Sequence, residues 1–321
     1  MTTVDPVIVV GAGIAGISCA RVLAEAGVEV QVLDRGQQPG GRMAVKTIDG
    51  RAVDIGASYF TVSDPSFQAV VDDWADRGLA HPWTDTFDVF EDGVRTERKQ
   101  GAQRWGAPGG LRGLVEDLAD GLAVERHTVT SVSRGSGGLL VDDRPAQAVV
   151  LAMPDPQAKR LLSADLVADV AQLTDSFEPV LALSAGWASR VWASDFDGAF
   201  VNGDDHLAWI ADDGRRRGDD APVLVAHSTP ARAAQHLESP EATQPMLRRL
   251  MSLMQISEEP SWIDLHRWSF ARPTGSRDAD HYLGEANIGL CGDAWSDRPR
   301  VEAAYLSGAT LARALVDRSR R

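Results

Sequence analysis

Residues 7–34 read VIVVGAGIAGISCARVLAEAGVEVQVLD, and this stretch decides the fold. Val7 to Val10 is a β-branched run of the kind that suits a strand buried on both faces. Gly11, Gly13 and Gly16 follow at G-x-G-x-x-G spacing, with Ile14, Ile17, Val22 and Leu23 in a helical pattern. Gly27 stops that helix, and a second apolar strand ends at Asp34. Strand, glycine turn, helix and acid in this order make an α/β dinucleotide-binding unit. Gly11 permits the tight turn, Gly13 lets backbone approach a pyrophosphate, and Gly16 lets the helix pack on the strand. The helix N-terminus offers unpaired N–H groups and roughly half a positive charge to the phosphates. The candidate cofactor residues here are Gly11, Ala12, Gly13, Ala15 and Gly16, with Asp34 and its neighbour Arg35 at the adenosine ribose. The acid argues against a 2′-phosphate at this place, because two negative groups would face each other.

The chain has 321 residues, 44% hydrophobic and 24% charged, enough for one large domain or two intimate ones. A formal net charge of −14 excludes broad electrostatic binding to nucleic acid or to an anionic membrane. An anionic ligand therefore needs local arginines and backbone N–H groups. Cys19 and Cys291 are the two cysteines; Cys19 reads as a packed core thiol, and without a C-x-x-C pair no redox dithiol or metal site is indicated. The first strand begins at residue 7, leaving no room for a signal peptide, and no apolar run approaches the ~20 residues needed to span a bilayer. The expectation is a soluble, cytoplasmic protein.

Beyond Asp34, Pro39-Gly40-Gly41 forms a loop and Arg42 follows it, so Gly41 and Arg42 bring backbone and a forked cation to a phosphate. Residues 53–60 read as a strand ending in Gly56-Ala57-Ser58, small enough for a flat ring to lie against the backbone. Phe67, Val70, Val71 and Trp74 mark an amphipathic helix over 66–77. Residues 86–98 form a hairpin turning at Asp92-Gly93, 103–110 a turn-rich segment, and 111–118 a helix. The glycines at 135–138 join two strands and open no helix, so there is no second dinucleotide fingerprint. Short strands over 175–228 suggest an antiparallel sheet, in which GRRRGDD (214–220) reads as a solvated loop. A helical stretch over 230–256 precedes a strand over 261–273 carrying His266, which reads as structural, and Trp268. At 287–318 come a short strand, Asp293, a loop and a helix from near Val301.

GAGIAG, Asp34, PGGRM and DIGASYF together resemble the N-terminal third of the flavin-containing amine oxidase superfamily. GGRM…DIGASYFT is most similar to its renalase branch, and Gly292-Asp293 followed by a helix with E-x-A-x-x-S-G is similar to the family's closing motif. The resemblance implies FAD. It sets Arg42 by the pyrophosphate, backbone near Val129 at the adenine, and Gly292 and Asp293 at the ribityl chain. Ala57 and Ser58 border the flavin ring, and the helix start at Val301 and Ala303 faces the pyrimidine edge, where its dipole stabilises the reduced ring's anion. Ser58, Tyr59, Phe60, Thr61, Trp105, Trp268 and Trp295 are the candidate substrate-binding residues, the aromatic ones suited to stacking. Cys291 lies on the strand, which implies non-covalent FAD.

The implied architecture has a discontinuous FAD-binding Rossmann-like domain (1–62, 101–160 and 276–321) and a sheet-based substrate domain (63–100 and 161–275), with the active site at their seam. The implied reaction is hydride transfer from 2- or 6-dihydro-NAD(P) to flavin N5, which carries the chemistry without a named catalytic residue, then electron transfer to O2 giving H2O2. The partners are thus a small-molecule donor, a dihydronicotinamide dinucleotide or an amine, and O2. Amine and polyamine oxidases of the superfamily usually place a lysine near N5, and neither Lys46, Lys99 nor Lys159 lies in a segment expected to cover it. An amine oxidase or desaturase on the same scaffold, or a flavin-binding protein without turnover, are the alternatives.

Overall fold

Val7–Val10 lies inside a six-stranded sheet, its four side chains all buried. In the computed structural model, which describes residues 5–135, 138–170, 173, 177–275 and 277–320, this sheet runs Tyr282–Leu283, Ile288–Leu290, Ala148–Leu151, Val7–Val10, Val30–Asp34, Val124–Arg126. All neighbours are parallel except the first pair. Parallel strands covered on both faces require uniformly apolar runs, which is why this core reads as Ile8, Val10, Leu33, Val149, Leu151 and Ile288. Gly11, Asp34 and Gly292-Asp293 all stand at carboxyl ends of parallel strands, where open α/β sheets bind ligands. The helices Ile14–Glu25 and Val301–Ser319 pack together: a Cβ on Gly308 would lie 1.9 Å from the Ala15 carbonyl oxygen, and Ser18 Oγ donates to the Tyr305 carbonyl at 2.7 Å. Among the described residues no helix is long and apolar enough to cross a membrane.

These elements belong to one compact unit, Met1–Gly41, Val115–Phe177 and Pro273–Arg321; Arg42–Leu114 and Glu178–Arg272 form the other. The division differs from the sequence expectation, since 42–62 and 101–114 pack with the second unit and 161–177 with the first. The strands Val45–Ile48 and Arg51–Asp54 pair only with each other, so this segment adds nothing to the first sheet.

The second unit is built on a seven-stranded sheet in the order Trp262–Pro273, Phe177–Gly186, Val223–Ser228, Leu207–Asp212, Gly198–Asn202, His81–Glu91, Val94–Gly106. One face buries Leu183, Leu224, Ala226 and Ile210 with Leu247 and Leu250 of the helix Thr243–Met254. The other face gathers Phe87, Trp209 and Ala211 with Tyr59, Trp83 and Phe200. The hairpin at Asp92-Gly93 forms with both residues at positive φ, 50° and 86°, as a two-residue turn matched to strand twist requires. Its second strand, Val94–Gly106, is the sheet's edge, with 94–103 exposed.

Three sequence expectations change here. The strand expected over 53–60 ends at Asp54, because 55–60 is held by side chains and irregular backbone bonds. The segment 103–106, read as turns, continues the edge strand; Phe60 and Trp105 exchange backbone hydrogen bonds of 3.3 and 2.9 Å. GRRRGDD is no solvated loop: Asp213–Arg217 is a helix, and Arg216 and Arg217 are 1% and 6% exposed. Residues 136 and 137 of the glycine-rich hairpin lie outside the described residues, while Gly135 pairs with Gly138.

Candidate functional site

In the first unit the glycine turn is a cradle built from backbone. Gly11 has φ +109°, and a Cβ there would come within 2.7 Å of the Ala152 carbonyl oxygen. A Cβ on Gly16 would lie 1.9 Å from the Gly11 carbonyl oxygen, so the helix can approach the strand only because that atom is missing. Asp34 closes the turn: Oδ2 accepts from the Ala12 N–H and Oδ1 from the Gly36 N–H, each at 2.6 Å. A carboxylate has about four lone-pair sites, so capacity remains for ribose hydroxyls. The Pro39–Gly41 loop docks on the same turn, through Gly40 N–H to Ala12 O at 2.8 Å and a bridge between Gly13 and Gly40. Ala15 is buried, and Arg35 is exposed.

The first helix is preceded by Gly13 and the last by Arg300 as N-cap residues, and neither makes a side-chain cap hydrogen bond. Uncapped N–H groups at helix starts are anion sites. Val129 is buried beside the loop after Val124–Arg126, which His127 N–H ties to the Asp34 carbonyl at 2.7 Å. Although burial pushes the Asp142 carboxyl up, hydrogen bonds from His127, Thr130 and Ser131 hold it well below the usual carboxylate range. Gly292 N–H donates to Ser307 Oγ at 3.0 Å, steadying the backbone ahead of Asp293, and Val301 begins the final helix with Ala303 buried behind it. Further along this helix Gly308 packs against Ala15. The donors, glycine approaches and helix ends of this unit fit the pyrophosphate and ribose of FAD.

In the second unit, Arg42 and the irregular segment 55–61 form one hydrogen-bonded layer. Arg42 Nη1 donates to the Ala271 carbonyl at 3.0 Å, and Ala57 N–H donates to the Arg42 carbonyl at 2.8 Å. Gly56 fits beneath that carbonyl because a Cβ would meet it at 2.0 Å. Trp268 Nε1 donates to the Ile55 carbonyl at 2.7 Å, and His266 stacks edgewise on Trp268 at 4.6 Å. Ser58 is fixed twice: Oγ accepts from Trp209 Nε1 at 3.0 Å, and its carbonyl accepts from Arg216 Nη1 at 3.1 Å.

Arg216 and Arg217 are the residues that sequence reasoning missed. Arg216 is bonded to Asp213 and lies 3.8 Å from Asp54, while Arg217 donates to Asp54 at 3.2 Å. Asp213 also binds Arg51, and Asp54 Oδ1 accepts from the Leu111 N–H at 2.9 Å. The signal available was the three-arginine run itself, whose partners Asp54 and Ser58 lie some 160 residues earlier in the chain.

Tyr59 and Phe60, adjacent in sequence, go opposite ways. Tyr59 faces Trp83, Phe87 and Trp209 at 6.3, 5.4 and 5.7 Å, with Arg104 5.9 Å from its ring centre. Phe60 is 2% exposed, edge-on to Phe67 and Trp74 and stacked on Trp105 at 6.3 Å; it is a core residue rather than the expected wall. Trp295 is corrected likewise. It is 4% exposed in the first unit's core, stacked on Tyr282 at 6.2 Å with the Arg277 guanidinium 4.1 Å above it. Thr61 and Trp105 are half-buried.

Residues 9–74 match the NAD(P)-binding Rossmann-like domain family, and residues 86–316 match the family described as flavin containing amine oxidoreductase. Hydroxyneurosporene desaturase of Rubrivivax gelatinosus is 46% identical over 56 residues, 17% of this chain and 11% of that protein. Putrescine oxidase of Kocuria rosea is 42% identical over 67 residues, 21% of this chain and 14% of that protein. The matched stretches thus span only about a tenth to a seventh of these relatives. A putative protoporphyrinogen oxidase from Exiguobacterium sp. 255-15 superposes with TM-score 0.78 at 14% identity, covering 99% of this chain and 100% of that one. Cyclohexylamine oxidase from Brevibacterium oxydans IH-35A superposes with TM-score 0.77 at 16% identity, covering 99% and 100%. At these identities the likeness is one of fold.

Proposed function

The chain belongs to the flavin containing amine oxidoreductase family, with FAD as cofactor, and from that premise we propose that it oxidises the 2- and 6-dihydro isomers of NAD(P)H to NAD(P)+. Bound FAD supplies a two-electron acceptor for the donor's hydride and passes the electrons to O2, giving H2O2. Such a dihydropyridine is already a strong hydride donor, so the protein has to orient it and needs no general base.

The observation that carries this reading is the charge around Tyr59. Burial raises its hydroxyl pKa, and the charges that oppose the rise are both cations, Arg104 and Arg272. A layer of Tyr59, Trp83 and Trp209 edged by guanidinium groups favours a planar, uncharged ring on an anionic tail. It disfavours an alkylammonium ion. The three lysines give no support to an amine oxidase site either: Lys46 is paired with Asp264 at 2.6 Å, and Lys99 and Lys159 are exposed. Non-covalent attachment is supported by Cys291, whose thiol burial pushes up to about 12 and so keeps unreactive.

Arg42→Ala is expected to weaken FAD about tenfold, about 1.4 kcal/mol. Flavin retention on dialysis measures it, and an unchanged affinity would remove Arg42 from the pyrophosphate site. The reaction itself is tested by anaerobic flavin bleaching with 2- and 6-dihydroNAD, ordinary NADH and a panel of amines. Fast stoichiometric bleaching by the isomers alone is expected. Bleaching by an amine and not by the isomers would move the chain to amine oxidation, and no bleaching by any donor would leave a flavin-binding protein without turnover.

A further inference from the structure

The loop 127–131 follows the strand Val124–Arg126, whose neighbour in the sheet is Val30–Asp34. It stands at the carboxyl end of the strand beyond Asp34, and His127 N–H ties it to the Asp34 carbonyl at 2.7 Å. An acid placed like Asp34 holds the adenosine ribose, so the next loop outward borders the base. Asp142, in the turn between the strands Gly138–Val141 and Arg144–Ala146, closes this loop into a ring. Its Oδ1 accepts from the Thr130 N–H and Oγ1 at 3.0 and 2.7 Å and from the Ser131 N–H at 2.9 Å. Its Oδ2 pairs with His127 Nε2 at 2.7 Å, and its own N–H donates to the Ser131 carbonyl at 2.9 Å.

The turn that carries Asp142 is itself anchored. Arg144, two residues on, makes a forked pair with Glu125 at 2.6 and 2.7 Å, on the strand that leads into the loop. Burial pushes the Asp142 carboxyl up, but the bonds from His127, Thr130 and Ser131 outweigh it, so the ring is closed by a charged acceptor. Within that ring Thr128 and Val129 keep both their N–H and C=O groups without a partner among the described residues. Val129 is also the apolar contact, 8% exposed. Adenine presents an amino donor beside a ring-nitrogen acceptor, and the C=O and N–H of one residue match that pair.

We propose that Asp142 is a positioning residue that makes this chain selective for adenine in its flavin dinucleotide. By drawing His127, Thr130 and Ser131 onto one carboxylate, it fixes the loop while leaving the Val129 backbone unpaired at the base site. The inference holds whichever donor reduces the flavin.

The test is a competition that needs no turnover. FAD-loaded enzyme is dialysed against equal amounts of FAD and its hypoxanthine analogue, in which a carbonyl replaces the amino group, and the flavins bound at equilibrium are released and counted. Wild type should prefer FAD by about tenfold, since the analogue loses a hydrogen bond and sets two carbonyls against each other. Asp142→Gly suits the φ of +50° at this position and should cut the preference to within about threefold. Asp142→Asn keeps an acceptor for Thr130 and Ser131 and should recover most of it. Thr130→Val removes only the 2.7 Å hydroxyl bond and should lower the preference about threefold in a chain that folds. A change that merely loosened the protein would weaken both dinucleotides alike and leave their ratio standing. That result in Asp142→Gly, or in Thr130→Val if the glycine variant does not fold, overturns the proposal, as does a wild type without preference. Total flavin bound per chain reports separately on the glycine cradle and the ribose acid, which serve both dinucleotides equally.

Discussion

Arg216→Ala is expected to lower the unfolding free energy by about 3–5 kcal/mol, the cost of breaking a buried ion pair by removing one partner. Arg216 is 1% exposed and stands between Asp213 and Asp54, themselves 0% and 2% exposed. Against the opposing effect of burial, Arg216 and Arg51 hold the Asp213 carboxyl below its usual range; at Asp54 burial prevails and pushes the carboxyl up. Without the guanidinium, Asp213 keeps Arg51 and Asp54 keeps Arg217, but the Ser58 carbonyl loses its side-chain donor. Urea unfolding of the FAD-loaded protein measures the loss. Arg216→Lys should recover only part of it, because an ammonium cannot serve Asp213 and the Ser58 carbonyl in the planar fork geometry. A loss below about 1 kcal/mol in the alanine variant, the range of exposed pairs, would show that the cluster is not the buried network described here.

Gly16→Ala is expected to yield protein largely without FAD and less stable by about 1–3 kcal/mol, the usual range for forcing extra volume into a packed interior. The new methyl would sit 1.9 Å from the Gly11 carbonyl oxygen, which is backbone and cannot rotate away. The helix must then lift from the strand, carrying its uncapped N-terminus away from the phosphates. Gly113→Ala provides the contrast. That glycine is inside the helix Leu111–Leu118 with nothing within 4 Å of a Cβ, so the change should be stabilising by about 0.5–1 kcal/mol. Visible flavin absorbance relative to protein, together with thermal unfolding, reads both variants. Full flavin content in Gly16→Ala would contradict the cradle.

What could be read in the sequence was what short spacing encodes. The strand, turn and helix over 7–34 follow from glycine positions and apolar periodicity within one stretch, and the Asp92-Gly93 hairpin from a dipeptide. The arginine run at 215–217 could not be read that way, because charged residues are buried only when distant partners exist, and Asp54 and Ser58 belong to another part of the chain. The segment 103–106 was hidden by the glycines and proline around it, although pairing with His81–Glu91 and with Phe60 makes it strand. Phe60 and Trp295 carry the same composition signal as Tyr59; only packing separates core rings from those of the polar layer.

The strand Val94–Gly106 has its own consequence for how these molecules behave in a crowd. One side of it bonds to His81–Glu91, and the other, apart from the Trp105–Phe60 pair, is an open strand edge, the template on which foreign strands polymerise into cross-β aggregates. Arg95, Glu97, Arg98 and Lys99 lie along it, and a strand arriving from a second molecule would have to desolvate them. Four charged side chains, remote from any chemistry, thus guard the chain against self-association along its longest exposed border.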